Sequence, residues 1–277
     1  MKLCVIGGAG ARSAFLTKSL VKSAREIRVD HIVLLDNNEE HLRTYGQISK
    51  ELARRMEPSL TFDITSDACG ALTGADYIIT TIRAGGDAGR LFDEKTCLAH
   101  GVLGQETTGA GGFAMAIRSV PTLVYYCTLA REVSNPGHLI FNFTNPSGII
   151  TQALRSCGFA NVYGICDAPS GFIKQLEEIL NVPYGALDIE CYGLNHLSWF
   201  RNAKLDGRDV QEELLNNPRT YQHSEMRLFT REMARLSGEC MLNEYLYFYY
   251  RREKSLSMVQ KAEHPRGEMI YLINREL

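Results

Sequence analysis

The residues best suited to chemistry lie at 164–169, where the sequence reads Gly-Ile-Cys-Asp-Ala-Pro. The thiol of Cys166 stands beside the carboxylate of Asp167, at a predicted junction between a strand and a helix. A cysteine in this position could be a metal ligand, a nucleophile or a small core residue. None of the eight cysteines lies in a Cys-x-x-Cys pair, which excludes zinc-ribbon and thioredoxin-type sites.

The overall composition limits the partners of the chain. Of its 277 residues, 45% are apolar and 22% are charged, with a net charge of −2, as in ordinary globular proteins. A net charge of −2 provides no positive surface for nucleic acid or an anionic membrane. The sequence contains no run of eighteen or more apolar residues that would predict a membrane span. We therefore expect neither partner. The scattered thiols and the absence of a signal-peptide pattern indicate the cytoplasm.

A second chemical signal stands at the start of the chain, between a predicted strand and a predicted helix. Residues 7–13 read Gly-Gly-Ala-Gly-Ala-Arg-Ser. Gly7 begins this turn. Gly8 and Gly10 would let the backbone approach a pyrophosphate at the N-terminus of the helix. Ser13 replaces the third glycine of the dinucleotide-binding pattern, so a tight turn without a ligand stays an alternative.

Asp36 ends the second predicted strand. A carboxylate in this position can accept a hydrogen bond from a ribose hydroxyl, which favours NAD over NADP. The alternative is an N-cap for the helix that starts near Glu39. Strands and helices continue to alternate as far as about residue 165, and this alternation predicts a doubly wound parallel sheet.

Further candidate ligand contacts follow later strands of this sheet, since ligands bind beyond the carboxyl ends of parallel strands. Arg83 and Arg90 could bind phosphate or carboxylate, or form internal ion pairs on a solvated helix start. Asn145 precedes a proline, which holds it extended, so its amide could face a ligand or cap the helix from Ser147. The loop at 101–112 is glycine-rich and polar, and we predict a flexible functional loop rather than core.

The composition changes near residue 170. Two predicted strands enclose Gly-Leu-Asn-His at 193–196, a pattern typical of a mixed sheet. We therefore predict a cofactor-binding domain at 1–169 and a substrate and metal domain at 170–277. Within the second domain, residues 209–240 indicate a polar helical subdomain at the surface, and the aromatic run at 244–250 indicates a packed helix.

In this order the motifs resemble the family 4 glycoside hydrolases, an NAD- and metal-dependent group that includes 6-phospho-glucosidases and α-galactosidases. The resemblance is collinear over the whole chain. It rests on the motifs at 82–86 (Ile-Arg-Ala-Gly-Gly), 104–109 (Gly-Gln-Glu-Thr-Thr-Gly), 142–146 (Asn-Phe-Thr-Asn-Pro), 164–169, 193–196, the tyrosine run and 266–268 (Arg-Gly-Glu). It implies a Rossmann-like sheet followed by an α+β substrate domain, as in lactate and malate dehydrogenases.

The resemblance also implies a cofactor site and a metal site. Cys166 and His196 match the ligands of a divalent metal, usually Mn²⁺, although manganese generally prefers oxygen to thiolate. Gly7, Gly8, Gly10 and Asp36 match the positions that bind NAD in this family.

The implied reaction is a redox-assisted elimination, which makes this family an exception to glycoside hydrolysis by two carboxylates. NAD removes hydride from C3 of the sugar, a base takes the C2 proton, the C1–O bond breaks, water adds and the ketone is reduced again. Tyr245 matches the C2 base, and Asp167 matches the acid for the leaving group in members that cleave α-glycosides. Arg90, Asn145 and Arg266 match residues that contact the sugar or its 6-phosphate.

Two features depart from the family pattern. The glycine turn differs from the usual one, and family members are considerably longer than 277 residues, which implies a shortened substrate domain. We expect a homo-oligomer that acts on a glycoside of a sugar or sugar phosphate. A 2-hydroxy acid dehydrogenase and a non-catalytic NAD-binding remnant are the alternatives. The dehydrogenase needs a histidine paired with an aspartate, and no such partner of His196 is evident.

Overall fold

The structure, a computed structural model, describes residues 1–276. It divides into two compact units. The first comprises Met1–Ile165 together with the described residues from Glu263 onward, and the second comprises Cys166–Ala262. The sequence predicted instead a boundary after residue 169 and a second domain that continued to residue 277.

The first unit is a parallel sheet flanked by helices. Its strands are β1 (Lys2–Ile6), β2 (His31–Leu35), β3 (Thr61–Thr65), β4 (Tyr77–Thr80), β5 (Leu139–Asn142) and β6 (Val162–Gly164). Its first seven helices are α1 (Ser13–Ser23), α2 (Glu39–His41), α3 (Gln47–Met56), α4 (Ala68–Leu72), α5 (Gly86–Ala99), α6 (Gly109–Val133) and α7 (Ser147–Ser156), with a π-helical turn at Leu42–Gly46. The order β3-β2-β1-β4-β5-β6 is that of dinucleotide-binding folds, which confirms the predicted doubly wound sheet.

Both faces of this sheet are buried, which explains its continuous apolar strands. In β1, Leu3 and Val5 pack into one cluster with α1 and α3. The intervening Cys4 and Ile6 pack into a second cluster on the other face. Successive side chains of the strand therefore point to opposite faces of the sheet and contribute to the core on each side.

Helix α6 is long and apolar enough to cross a membrane by length and composition alone. Its residues Leu123, Cys127 and Ala130, however, are buried in the core of the first unit. Packing in this core explains only part of the apolar character of α6, because Phe113, Ile117 and Tyr125 are exposed.

The loop at 101–112 was predicted not to pack as core, and this prediction is wrong. Glu106, Gly111 and Gly112 are buried. A Cβ on Gly104 would lie 2.4 Å from the carbonyl oxygen of Glu94, closer than atoms can approach. Gly104, Gly111 and Gly112 therefore allow close packing against neighbouring backbone.

The second unit is an antiparallel sheet packed on short helices. Its strands are β7 (Leu187–Leu194), β8 (Leu197–Leu205), β9 (Arg208–Asp209) and β10 (Met241–Leu242), in the order β10-β8-β7 with β9 paired to β8. Its helices are α8 (Ala168–Leu180), α9 (Gln211–Asn216), α10 (Thr220–His223), α11 (Arg231–Leu236), α12 (Leu246–Tyr250) and α13 (Arg252–Lys261), with a 3-10 turn at Glu225–Leu228.

The core of this unit corrects the prediction that 209–240 is a surface subdomain. Leu214, Leu215 and Met226 are fully buried in one cluster with Phe172 of α8 and Phe200 of β8. The two phenylalanine rings meet edge to face with centroids 4.9 Å apart. The helices are too short for a helical apolar pattern to emerge, so the polar residues between them dominated the sequence.

The last described helix, α14 (Arg266–Glu276), belongs to the first unit, where it packs on α5. Lys95 of α5 forms an ion pair with Glu268 at 2.6 Å. Asp87 accepts a hydrogen bond from the side-chain amide of Asn274. These contacts join positions more than 170 residues apart, and a sequence read locally does not reveal them.

Candidate active site

Cys166 and His196 meet in the second unit. Cys166 lies just before α8, and His196 lies in the turn between β7 and β8. The Sγ of Cys166 is 3.6 Å from Nε2 of His196. The side chains that resemblance to the family assigned to one metal are therefore neighbours in the structure.

The local backbone explains how His196 reaches this position. His196 adopts a φ of +57° within the turn, a conformation that few residues other than glycine adopt. Gly193, with a φ of +119°, packs so tightly on β8 that a Cβ would lie 2.3 Å from the carbonyl oxygen of Leu197. The motif at 193–196 thus builds the turn as well as supplying the imidazole.

The surroundings of His196 suit a neutral imidazole. Burial lowers the pKa of His196 below its usual range, and the negative charges of Glu244 and Asp167 only partly oppose this effect. A neutral imidazole is the form that binds metals. Its Nδ1 atom is buried without a hydrogen-bond partner among residues 1–276, so no protein group competes for the ring through that nitrogen.

These two side chains fit a divalent metal. Bonds of about 2.0–2.3 Å to nitrogen and sulfur, as zinc makes them, separate two ligand atoms on one ion by roughly 3.1–3.6 Å. The observed 3.6 Å is within this range. Across residues 1–276 there is no group of three or more His, Cys, Asp or Glu side chains able to hold an ion. Such an ion would therefore keep open positions for oxygen ligands.

Tyr245 lies against the same imidazole. Its ring centroid is 4.2 Å from that of His196. The predicted aromatic helix begins one residue later, at Leu246, so Tyr245 stands at the helix start. Its backbone N–H donates to Oδ1 of Asn243, and Nδ2 of Asn243 donates to the carboxylate of Glu225 at 2.7 Å.

Asp167 is exposed at the start of α8. It occupies the N-cap position, yet its side chain makes no capping hydrogen bond. Its charge acts on the pKa of His196, which places the carboxylate within electrostatic range of the imidazole. Asp167 is thus an exposed side chain directly after Cys166 in the chain.

In the first unit, the three glycines after β1 have different constraints. Gly7 has a φ of +80°, and a Cβ on Gly8 would lie 2.9 Å from the carbonyl oxygen of Val5. Around Gly10, by contrast, a Cβ would meet no atom within 4 Å. The first two glycines are required by the fold itself, whereas Gly10 leaves open space where a pyrophosphate could approach.

Ser13, at the third position of the glycine pattern, is buried and packs toward α3. Its hydroxyl accepts a hydrogen bond from that of Ser49 at 3.2 Å. The third glycine of this fingerprint serves close packing of the helix. A serine is small enough to meet the same requirement here.

Asp36 lies at the end of β2 and connects two turns. Its carboxylate accepts hydrogen bonds from the backbone N–H groups of Ala9 and Asn38, at 3.1 and 3.0 Å. The alternative role of helix N-cap is wrong, because Asn38 caps α2 by accepting from the N–H of His41. Asp36 instead holds the glycine turn and keeps acceptor capacity for a ribose hydroxyl.

Arg83 and Arg90 lie in a buried ion-pair cluster. The Nε of Arg83 and Nη1 of Arg90 contact the two carboxylate oxygens of Glu106 at 2.7 and 3.1 Å, and the Nε of Arg90 contacts Glu94 at 2.8 Å. Arg90 is only 7% exposed. The internal ion pairs foreseen as an alternative therefore exist. Those of Arg90 are buried, whereas the side chain of Arg83 is 33% exposed.

Asn145 is half-buried after β5 and does not cap α7, whose N-cap is Pro146 without a side-chain hydrogen bond. The capping alternative is therefore wrong. The neighbouring Asn142 is fully buried, and its amide donates to the carbonyl oxygens of Thr144 and Ser147. This network shapes the loop that presents Asn145.

Arg266 is exposed at the first position of α14. The next residue, Gly267, donates its backbone N–H to Oε2 of Glu94 at 2.7 Å. Reasoning from the sequence did not assign roles to Glu94, Asn142 and Glu225. Their charges and amides are ordinary in type, and only their buried positions distinguish them.

Comparison with known proteins agrees with this architecture. The family model described as Family 4 glycosyl hydrolase matches residues 2–182, and the model of the C-terminal domain of that family matches residues 191–277. The chain is 31% identical to the 6-phospho-beta-glucosidase BglT of Thermotoga maritima over all of its own length and 66% of the relative's. It is 32% identical to the phospho-alpha-glucosidase PagL of Clostridium acetobutylicum, covering 89% of this chain and 59% of PagL. The chain thus spans less than two thirds of these curated relatives.

Solved structures agree with the sequence comparison. The Thermotoga maritima 6-phospho-beta-glucosidase with NAD and glucose-6-phosphate superposes with a TM-score of 0.88 at 30% identity, covering 100% of this chain and 65% of the other. A 6-phospho-alpha-glucosidase from gut microorganisms in complex with NAD and Mn²⁺ has a TM-score of 0.88 at 26% identity, covering 99% and 67%. A malate dehydrogenase from Salinibacter ruber shares the fold alone, with a TM-score of 0.57 at 17% identity. The matched family models and these relatives show that the chain belongs to the family 4 glycosyl hydrolases.

Proposed function

We propose that this chain is a glycosidase that acts on 6-phosphorylated glycosides and uses NAD and a divalent metal, Mn²⁺ by preference. The observation that carries the proposal is the cluster in which Cys166 lies 3.6 Å from His196 and the ring of Tyr245 lies 4.2 Å from the imidazole. A soft thiolate, a neutral imidazole and a phenol together suit metal-assisted proton abstraction from a sugar.

Relatives support the choice of substrate and cofactors. The Thermotoga relative has been solved with manganese, NAD⁺ and glucose-6-phosphate, and several curated relatives are named as phosphoglucosidases. Because these names include both alpha and beta enzymes, they support a phosphorylated glucoside without selecting the anomer. The eight free cysteines support a reducing cytoplasm as the compartment.

In the proposed mechanism, Cys166 and His196 hold the metal and Gly10 and Asp36 contact NAD. When bound, these groups supply reversible oxidation at C3 of the sugar and polarisation of the resulting ketone. Tyr245 takes the proton from C2, which lies next to that ketone. A metal cation held by Cys166 and His196 would favour the phenolate form of Tyr245, which is the form that accepts a proton.

Asp167 acts at the leaving group. Its proton passes to the glycosidic oxygen as the C1–O bond breaks. Water then adds at C1 and gives its proton to the Asp167 carboxylate, which restores the acid. The return of the C2 proton by Tyr245 and of hydride to C3 restores the sugar and the cofactor.

Three residues of the first unit are proposed to hold the substrate. The guanidinium groups of Arg90 and Arg266 suit a phosphate dianion, which planar N–H forks bind in a bidentate manner. Asn145 offers both a donor and acceptors to sugar hydroxyls. We assign phosphate preference to the arginines and hydroxyl recognition to the asparagine.

The test is an assay with nitrophenyl glucosides, with and without a 6-phosphate. The protein is incubated with NAD, Mn²⁺ and a reductant, and each cofactor is omitted in turn. We expect nitrophenol release from the phosphorylated substrate only when both are present, without net NADH. Accumulation of NADH on a 2-hydroxy acid would favour a dehydrogenase instead, and NAD binding without turnover of any substrate would favour a non-catalytic role.

A further inference from the structure

Glu94 connects the candidate substrate residue Arg90 to Gly267, which follows the candidate Arg266 in the chain. Its Oε1 accepts a hydrogen bond from Nε of Arg90 at 2.8 Å. Its Oε2 accepts one from the backbone N–H of Gly267 at 2.7 Å, across 173 positions of the chain. One carboxylate thus uses each of its oxygens to hold a different part of the first unit.

The side chain of Glu94 is 3% exposed and that of Arg90 is 7% exposed. Water therefore cannot take the place of the Glu94 carboxylate as hydrogen-bond partner of Arg90. Buried charges persist only when they are paired and hydrogen-bonded. Glu106, which is 8% exposed, completes the set by contacting Nη1 of Arg90 at 3.1 Å. The guanidinium of Arg90 is therefore held from two sides.

Gly267 fits this arrangement only as glycine. A Cβ at this position would lie 2.6 Å from Oε2 and 2.8 Å from the carboxyl carbon of Glu94. Any side chain would push the carboxylate away from the N–H that it accepts from. The Arg-Gly pair at 266–267 thus combines a candidate phosphate ligand with the one residue type that permits the anchor beside it.

We propose that Glu94 is a positioning residue that sets Arg90 and the backbone next to Arg266 for binding of the sugar phosphate. This inference rests on the proposed function, since it assumes that Arg90 and Arg266 bind substrate. Glu94 itself touches no substrate in this role. It acts through the guanidinium on one side and the start of α14 on the other.

The test compares four variants of the full chain by calorimetric binding of glucose 6-phosphate and, separately, of NAD. Glu94→Gln removes the charge and turns one acceptor oxygen into a donor, and Gly267→Ala displaces the carboxylate. We expect each to weaken glucose 6-phosphate binding by about tenfold or more, as the loss of a charge-assisted hydrogen bond does. We expect NAD affinity to stay unchanged.

Lys95→Gln is the matched control. It breaks the exposed ion pair with Glu268, which joins the same two helices, α5 and α14, without touching Arg90. We expect this variant to bind glucose 6-phosphate as the wild type does. Both changes disrupt the same contact between Glu94 and the N–H of Gly267. The affinity of the double variant Glu94→Gln/Gly267→Ala for glucose 6-phosphate should therefore equal that of the single variant with the lower affinity.

Amide hydrogen exchange at Gly267 gives a readout that is independent of activity. We expect faster exchange in Glu94→Gln and protection at this amide in the wild type. Wild-type-like binding of glucose 6-phosphate by Glu94→Gln, or an equal loss in Lys95→Gln, would overturn the positioning role alone. A wild-type protein that binds no glucose 6-phosphate would overturn the proposed function together with it.

Discussion

The Sγ of Cys166 lies 3.6 Å from Nε2 of His196, although thirty positions separate the two residues in the chain. One residue precedes a helix and the other occupies a turn between two antiparallel strands. Each is placed by its own local structure, and the packing of the second unit brings them together. The pair is the central feature of the candidate site, and it leads to the first prediction.

Replacement of Cys166 by serine removes the soft ligand while keeping a side chain of similar size. We expect Cys166→Ser to lower Mn²⁺-dependent turnover by about 100-fold or more. NAD affinity should not change, because the glycine turn belongs to the other unit. Cys157→Ser, at an exposed cysteine, is the control and should retain activity. An unchanged rate in Cys166→Ser at every metal concentration would remove this residue as a ligand.

Tyr245→Phe tests the proposed base. The phenyl ring can keep its contact with His196, whose centroid is 4.2 Å away, but it has no oxygen to accept the C2 proton. In deuterated water we expect exchange at C2 to fall by about 100-fold or more, within the range of general-base contributions. Tyr249→Phe, at a half-exposed tyrosine four residues later, should exchange as the wild type does. Persistent exchange in Tyr245→Phe would require a different base.

The glycine turn supplies a matched pair of variants. A Cβ on Gly10 meets no atom within 4 Å, whereas one on Gly8 would lie 2.9 Å from the carbonyl oxygen of Val5. We therefore expect Gly10→Ala to keep the melting temperature and to weaken NAD binding, since the pyrophosphate would meet the methyl group. We expect Gly8→Ala to lower the melting temperature by several degrees. NAD affinity that is unaffected in Gly10→Ala would show that the cofactor does not approach this turn.

Glu225 predicts a pH dependence of stability in the second unit. Burial raises the pKa of Glu225 from 4.5 to about 7. Because the folded protein holds this proton more tightly than the unfolded chain, the stabilisation is complete below pH 4.5 and is lost as the pH rises through about 7. The loss is on the order of 3 kcal/mol.

The measurement for Glu225 is urea unfolding at a series of pH values. Glu225→Gln cannot titrate, yet its oxygen can still accept from Asn243 and from the N–H of Glu244, as the carboxylate does. The difference in unfolding free energy between variant and wild type should grow in favour of the variant between pH 4.5 and 7. A difference that stays constant with pH would show that Glu225 keeps its ordinary pKa.

Much of the first unit could be predicted because its signals are local. Parallel strands buried on both faces read as short apolar runs, and the glycine turn after β1 depends on residues within one strand–turn–helix unit. The second unit was predicted less well. Between residues 209 and 240, helices of four to six residues are too short to display a helical period, so their buried leucines were not recognised.

The candidate site divides in the same way. Residue types and order alone identified Cys166, Asp167, the glycines and Asp36 as groups capable of chemistry, and the motifs in sequence order indicated the family. Those properties are carried by covalent neighbours. They do not depend on how the units fold.

Only the tertiary structure decided which groups are partners. It showed that Asn38 rather than Asp36 caps α2, that Arg90 is buried between Glu94 and Glu106, and that α14 returns to the first unit. The physical reason is that burial, ion pairing and close packing depend on contacts across up to 187 positions of the chain. The sequence shows that a carboxylate is present but not which group it binds. Folding decides this, because it replaces the water around the carboxylate with a specific hydrogen-bond donor.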